Sequence, residues 1–200
     1  MPHDPPVSYR AKALSKRDHL PDNLRILYGR KIIDSLASQP EYLASKLPLF
    51  YVSFKTEVFT HDLIKDRLKN GLKVAVPVTE ITRKKIIPCL LYDWNDLKPG
   101  AYGVPEPVYS AAIAVSPEEI DLVITPGSAF DEKCGRYGYG GGYYDRFLAN
   151  EAPRAFRMGL AFQTQVFPSI PLCGHDQRMD CIITETREIR CAADKHDLIS

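Results

Sequence analysis

One stretch constrains this chain more than any other: Asp121 to Asn150, DLVITPGSAFDEKCGRYGYGGGYYDRFLAN. Its first five residues, Asp121 to Thr125, form an apolar run that predicts a short buried strand. Pro126 and Gly127 end it. A loop follows with Gly135, Gly138, Gly140, Gly141 and Gly142, and Tyr143 to Leu148 then reads as the start of a helix. Strand, glycine-dense loop and helix in succession make a recurrent phosphate cradle. Glycine lets backbone N–H groups approach an anion closely, and a helix start adds free donors and a favourable dipole.

The standard glycine motifs do not fit. Gly135 and Gly140 have P-loop spacing, but Gly141 stands where lysine is required and no Ser or Thr follows. The dinucleotide fingerprint fails because Tyr143 occupies the place of its third glycine. A glycine-rich connector without a ligand is the alternative reading. Asp131, Arg136 and Asp145 flank the glycines, and such charges suit a phosphate with its magnesium ion better than a plain turn.

Taken whole, PGSAFDEKCGRYGYGGGYYDRFL is similar to the signature of the 5-formyltetrahydrofolate cyclo-ligases, also called methenyltetrahydrofolate synthetases. The shared pattern opens P-G-x-x-F-D and closes G-x-G-x-G-Y-Y-D. Tyr137 replaces the family's usual leucine, one hydrophobic residue for another. The resemblance runs from Arg10 to Thr184 and is strongest over 125–148.

Two hundred residues favour one domain with a proper core. The 26 Lys plus Arg nearly balance 25 Asp plus Glu, which argues against nucleic acid or a membrane surface as partner. No apolar run is long enough to span a bilayer, and the polar, proline-rich start does not read as a secretory signal. Cys89, Cys134, Cys173, Cys181 and Cys191 are odd in number with no C-x-x-C pair, so five reduced thiols in a cytoplasmic protein are expected.

Along the chain, residues 1–7 and 187–200 are expected to be loosely ordered. Tyr9 to Arg17 reads as a basic helix on which Arg10, Leu14 and Arg17 share a face; spacing alone would leave that face solvated. A second helix starts near Asp22, a possible cap, and runs to about Ser38. Leu47 to Val52 and Lys73 to Pro77 read as strands around a helix ended by Asn70-Gly71, the βαβ unit of a parallel sheet. Glu57 then falls in the loop after a strand's carboxyl end, where such sheets bind ligands. Residues 81–92 read as a second strand pair, bent at Thr82 to Lys85, and Asn95 to Pro107 as a long loop. Arg157 to Phe162 is another buried strand. Cys173, His175, Asp176 and Asp180 match no standard zinc spacing. The fold expected is a single α/β domain, a mostly parallel open sheet flanked by helices on both faces.

The resemblance assigns roles. It implies ATP- and magnesium-dependent closure of 5-formyltetrahydrofolate to 5,10-methenyltetrahydrofolate, with release of ADP and phosphate. Arg10 and Arg17 match the arginines of the family's phosphate-reaching helix, although Pro6 replaces its lysine. Tyr51, Ser53 and Glu57 match Y-x-S-x-x-x-E, whose Glu holds the pterin. Gly100 to Pro107 matches G-x-Y-G-[IV]-P-E-P, with Tyr102 as a ring-stacking lid. Gly138, Tyr139, Gly140, Gly141, Gly142, Tyr143 and Tyr144 would wrap the nucleotide. Tyr139, Gly140 and Tyr143 would also touch the folate, one of Tyr143 and Tyr144 packing on the sheet. Arg136 would act catalytically and on ATP by neutralising charge on the transferred group. Asp145 and Asp180 would ligate magnesium, with Asp131 in an outer shell. Small-molecule partners are expected, in a monomer or homodimer. The alternatives are a non-catalytic folate- or nucleotide-binding relative, and an isomerase or acyl-transfer enzyme, which the lack of an acid/base pair near the glycines disfavours.

Overall fold

The computed structural model describes residues 6–108 and 113–191. Eight strands form the main sheet: β1 (Pro48–Phe50), β2 (Ala75–Glu80), β3 (Lys85–Leu90), β6 (Ile113–Ala114), β7 (Leu122–Thr125), β10 (Phe156–Leu160), β12 (Cys181–Ile183) and β13 (Glu188–Arg190). Their spatial order is β13-β12-β10-β7-β1-β2-β3-β6. The five central strands, β12 to β2, run parallel; β13, β3 and β6 add antiparallel edges. Two small sheets complete the chain. One pairs β4 (Leu97–Pro99) with β5 (Pro105–Pro107); the other joins β11 (Val166–Phe167), β8 (Ala129–Asp131) and β9 (Arg136–Tyr137).

Alternation along the short central strands creates two cores. Phe50, Leu122, Ile124, Met158, Cys181 and Ile183 face one side, packed with Ile32 and Leu36 of helix α2 (Asp22–Ala37). Tyr42 of α3 (Pro40–Ala44), with Leu63 and Ile64 of α4 (His61–Lys69), joins that side. Leu49, Ala75, Val123 and Ile182 face the other, against Phe147, Leu148 and Ala152. Those last residues follow α5 (Tyr143–Arg146), whose helix widens into a π turn at Phe147–Glu151. Both faces of the interior strands are thus covered, which is why their sequences are continuously apolar. Each fully buried Leu, Ile or Phe contributes about 1.5–3 kcal/mol. The expected α/β sheet with helices on both faces is the observed fold.

Helix α1 (Pro6–Asp18) packs apart, on the small sheet: Ala13 clusters with Ala129, Tyr137 and Ile170, and the Tyr9 ring meets Phe167 edge-on at 5.2 Å. Helix α4 ends as expected, Gly71 taking φ 69° so that the Leu72 N–H reaches Arg67 O at 2.9 Å.

Several expectations are corrected. Helix α1 already starts at Pro6, and Glu188–Arg190 form a strand, so neither terminal stretch is loose as a whole; 1–5 and 192–200 lie outside the described residues. The second strand pair is β2 with β3, a hairpin turning at 81–84, because residues 78–80 continue the first strand. Asp22 does not cap α2; it sits inside the helix and pairs with Arg25. The five thiols are not all free. Cys134 and Cys191 are disulfide-bonded across 57 residues, brought to a Cα separation of 6.1 Å where β13 passes the turn between β8 and β9. Among the described residues no helix is long and apolar enough to cross a membrane.

Candidate active site

The strand order reverses between β1 and β7: the chain leaves β1 toward β2 on one side, and later elements build outward from β7 on the other. The loops after those two strands therefore leave in opposite directions at the carboxyl edge of the sheet, where such folds place the ligand crevice. The loop after β1 carries Glu57, and the segment after β7 carries the glycines.

On the first side, Glu57 folds its loop back on itself. Oε2 accepts the Phe54 N–H at 2.8 Å, and the Tyr139 hydroxyl donates to Oε1. Burial raises the Glu57 carboxyl above the ordinary range, opposed by the bonds from Tyr139 and Phe54 and by the Arg17 charge. Ser53 and Thr60 close the loop through reciprocal bonds of 3.1 Å, and His61 Nε2 lies 2.8 Å from Ser53 O.

Helix α1 supplies two arginines from the face that the spacing defines, and that face is not solvated. Arg17 is only 6% exposed. Its Nε donates to Thr56 Oγ1 at 3.0 Å and its Nη1 to the Tyr139 hydroxyl at 2.8 Å. Arg10 Nε donates to Gly138 O at 3.1 Å, with its guanidinium 4.8 Å from the Tyr137 ring centroid.

The glycine segment is more structured than the expected loop. Strands β8 and β9 form a hairpin whose turn is built by Asp131. Its Oδ1 accepts the Lys133 and Gly135 N–H groups at 2.9 and 2.7 Å, and Oδ2 accepts that of Ile170 at 2.8 Å. Three backbone donors account for its complete burial, and Asp131 holds the turn together. Ser128 Oγ reaches Gly138 O at 2.9 Å, and Gln165 Nε2 holds the carbonyls of Gly127 and Ser128 at 3.0 Å each. Gly140 (φ 101°) and Gly142 (φ 65°) take left-handed backbone conformations at the approach to α5. A Cβ on Gly142 would lie 2.8 Å from Arg146 Nη1, disturbing a side chain that holds Gly141 O at 2.6 Å and Lys84 O at 2.9 Å. Gly142→Ala is therefore expected to cost about 1–2 kcal/mol, since an L-residue resists this region. A lower melting temperature would be observed in thermal unfolding, and an unchanged one would contradict the strain assigned to this turn.

Beneath the glycines lies a buried ion pair. Arg136, 1% exposed, donates from Nη2 to Asp145 Oδ1 at 2.7 Å and from Nη1 to Pro126 O at 3.4 Å. Its Nε is buried with no partner among the described residues. The Gln177 N–H adds a second bond to Asp145 Oδ1 at 3.1 Å. Sequence spacing does not reveal that Arg136 and Asp145 hold each other.

The tyrosines divide. Tyr143 turns outward to Tyr102, their hydroxyls 3.1 Å apart; Tyr102 is 69% exposed and carries an unusual φ of 57°. Tyr144 packs against both cores with Arg136 5.8 Å from its ring centroid, and burial raises its hydroxyl well above the ordinary value. Glu106 faces inward and accepts from Thr79 Oγ1 at 2.7 Å, fixing the Tyr102 loop.

The chain's sequence matches the family pattern of the 5-formyltetrahydrofolate cyclo-ligases over residues 7–185. The chain belongs to this family. It is 31% identical over 194 residues to the mouse 5-formyltetrahydrofolate cyclo-ligase, covering 90% of each chain. It is 36% identical over 151 residues to the enzyme of the same name from Saccharomyces cerevisiae, covering 64% of this chain and 70% of that one. The solution structure of Aquifex aeolicus 5,10-methenyltetrahydrofolate synthetase superposes with a TM-score of 0.82 at 32% identity, covering 97% of this chain and 96% of that one.

Against the roles that cyclo-ligase resemblance implies, the structure gathers Arg10, Arg17, Glu57, Gly138 and Tyr139 in one network, and Arg136 with Asp145 in another. Asp180 it places elsewhere. Oδ2 of Asp180 accepts the Arg157 N–H at 2.7 Å at the amino end of β10 and β12, whereas Glu57 lies past the carboxyl end of β1. Among the described residues, no group of three or more His, Cys, Asp and Glu is arranged to hold a metal. Sequence reasoning missed Thr56, which ties Arg17 to the Glu57 loop, and Ser128 and Gln165. Ser128 in the P-G-S-A-F run was the available signal.

Proposed function

We propose that this cyclo-ligase family member catalyses ATP- and magnesium-dependent closure of 5-formyltetrahydrofolate to 5,10-methenyltetrahydrofolate, releasing ADP and phosphate. The observation carrying this reading is the convergence at the switch-point crevice. A half-buried carboxylate suited to a pterin's N–H donors and a glycine cradle suited to phosphates meet through Tyr139 and Arg17.

A formamide oxygen is a poor leaving group. Transfer of the γ-phosphoryl group to it expels ADP and activates the formyl carbon; the folate's N10 then attacks that carbon. Loss of phosphate carries the oxygen away, N10 gives up its proton, and the methenyl bridge remains. Such chemistry asks the protein for positioning and charge neutralisation, not for a nucleophile or an acid/base pair. In this reading Glu57 anchors the pterin, Tyr102 and Tyr143 cover the folate, and Arg10, Arg17 and the amides of 138–144 hold the nucleotide. Arg136 acts from beneath the cradle, its positive charge felt through Asp145 and the loop.

The donor set fits magnesium through one protein carboxylate. Among the described residues the contacts of Asp145 fall on Oδ1, leaving Oδ2 available, and magnesium typically takes one or two carboxylates with substrate phosphates and water. Asp180, whose Oδ2 accepts the Arg157 N–H at the amino end of β10, stays the second candidate carboxylate in this reading. When bound, magnesium would neutralise charge on the phosphate oxygens. The same proposal keeps small molecules as the partners, without nucleic acid or membrane, a monomer or homodimer, and a cytoplasmic location. Near-balanced charge supports the partner part.

Glu57→Gln tests the pterin anchor. The change is expected to raise KM for 5-formyltetrahydrofolate at least about tenfold while sparing ATP, as loss of a charged hydrogen bond requires. The raised Glu57 carboxyl adds a stability signature: its contribution is full below the unfolded value and lost as pH rises through the folded one. The stability of wild type relative to Glu57→Gln should therefore fall from acid to neutral pH in denaturant titrations. A pH-independent difference would contradict the burial.

A further inference from the structure

Helix α1 grips one residue of the glycine loop from both ends. Arg10 Nε fixes the carbonyl of Gly138, just before Tyr139, assisted by Ser128 Oγ. Arg17 Nη1 then donates to the Tyr139 hydroxyl, whose own proton goes to Glu57 Oε1. The hydroxyl is therefore tied down by two partners while the residue stays 52% exposed. Arg17 itself is held by Thr56 Oγ1, whose proton goes to Asp18 Oδ1.

We propose that Tyr139 is a positioning residue that passes the placement of α1 to the Glu57 carboxylate, so that the helix contacting the nucleotide also orients the group contacting the pterin. This inference rests on the assignment of Glu57 to the pterin. The chain Arg17, Tyr139, Glu57 has one proton donor at each link, so the phenol cannot rotate without leaving Arg17 or Glu57 short of a partner. A carboxylate so held presents a fixed pair of acceptor lone pairs to a planar N–H pair; without the phenol its Oε1 is free to turn. The groups around Glu57 are Arg17 on α1, with Asp18 behind it through Thr56; Tyr51 after β1; Tyr144 on α5; and Tyr139. Among these, the Tyr139 bond favours the ionised carboxylate against the burial that raises it.

The test is Tyr139→Phe in the full chain, which keeps the ring and removes only the hydroxyl. KM for 5-formyltetrahydrofolate is expected to rise about tenfold, kcat to change less than about threefold and KM for ATP less than about twofold, the pattern of lost binding at one substrate. The acid limb of kcat/KM for the folate is expected to move to higher pH, because the ionised Glu57 has lost a donor; a role in packing alone would not move it. In a Glu57→Gln background the Tyr139→Phe change should have almost no further effect, since the two act through one contact. An unchanged or lowered KM with an unmoved acid limb would overturn the proposal, as would full additivity with Glu57→Gln. Wild type that makes no methenyl product would instead overturn the functional reading itself.

Discussion

Asp145→Ala is expected to damage this protein twice. The Arg136 side chain is 1% exposed and that of Asp145 13%, so the alanine leaves a buried guanidinium without its counter-charge. Breaking such a pair from one side costs about 3–5 kcal/mol, because the remaining charge is neither solvated nor compensated. The Gln177 N–H loses its acceptor as well. Turnover should fall further, by about 10²–10³-fold or more, the usual scale for removing a charge-stabilising group from a transition state. Asp145→Asn separates the two effects. Its amide oxygen can still accept from Arg136, so part of the stability should return, while the charge proposed to hold magnesium does not. Denaturant midpoints beside kcat measure both: a stable Asn variant with near-normal turnover would make Asp145 a purely structural residue.

Arg136→Ala is the second large effect, from the other side of the same pair. It strands the Asp145 carboxylate, removes the donor to Pro126 O, and opens a void beside the Tyr144 ring. A loss of about 3–5 kcal/mol is again expected. The rate should fall by about 10²-fold or more while folate affinity, which the proposed function assigns to Glu57, changes little. Arg136→Lys makes the prediction sharper. An ammonium group restores the charge but not the planar fork that reaches Asp145 and Pro126 together, so stability should recover in part and rate hardly at all. Wild-type turnover in either variant would remove Arg136 from the mechanism.

What the sequence makes legible here is what local patterns encode. Leu122 to Thr125 and Cys181 to Ile183 are continuous apolar runs because both faces of those strands are covered, and Arg10 with Arg17 share a helical face that does meet the glycine loop. Of the loop glycines, Gly140 and Gly142 stand where the backbone turns left-handed. Features that depend on three-dimensional partners were not legible. The family resemblance gives Asp180 a metal role, but nothing local says that it stands at the amino end of β12, accepting the Arg157 N–H. Strands of two or three residues, such as β8, β9 and β11, are too short for any periodicity to register. Asp131 reads as a free carboxylate until three backbone donors are seen around it. The Cys134–Cys191 bond and the Arg17–Tyr139 bond join residues 57 and 122 positions apart, beyond any spacing rule.

In the proposed function, this site couples ATP cleavage to closure of a formylated folate. The most direct test combines the purified full chain with 5-formyltetrahydrofolate, magnesium and ATP, and follows the near-ultraviolet absorbance of the methenyl product against a control without ATP. Growth of that band is expected only when ATP is present, with one ADP formed for each methenyl bridge. A flat trace from folded protein that still binds folate or ATP would contradict it and leave a binding protein on the same fold.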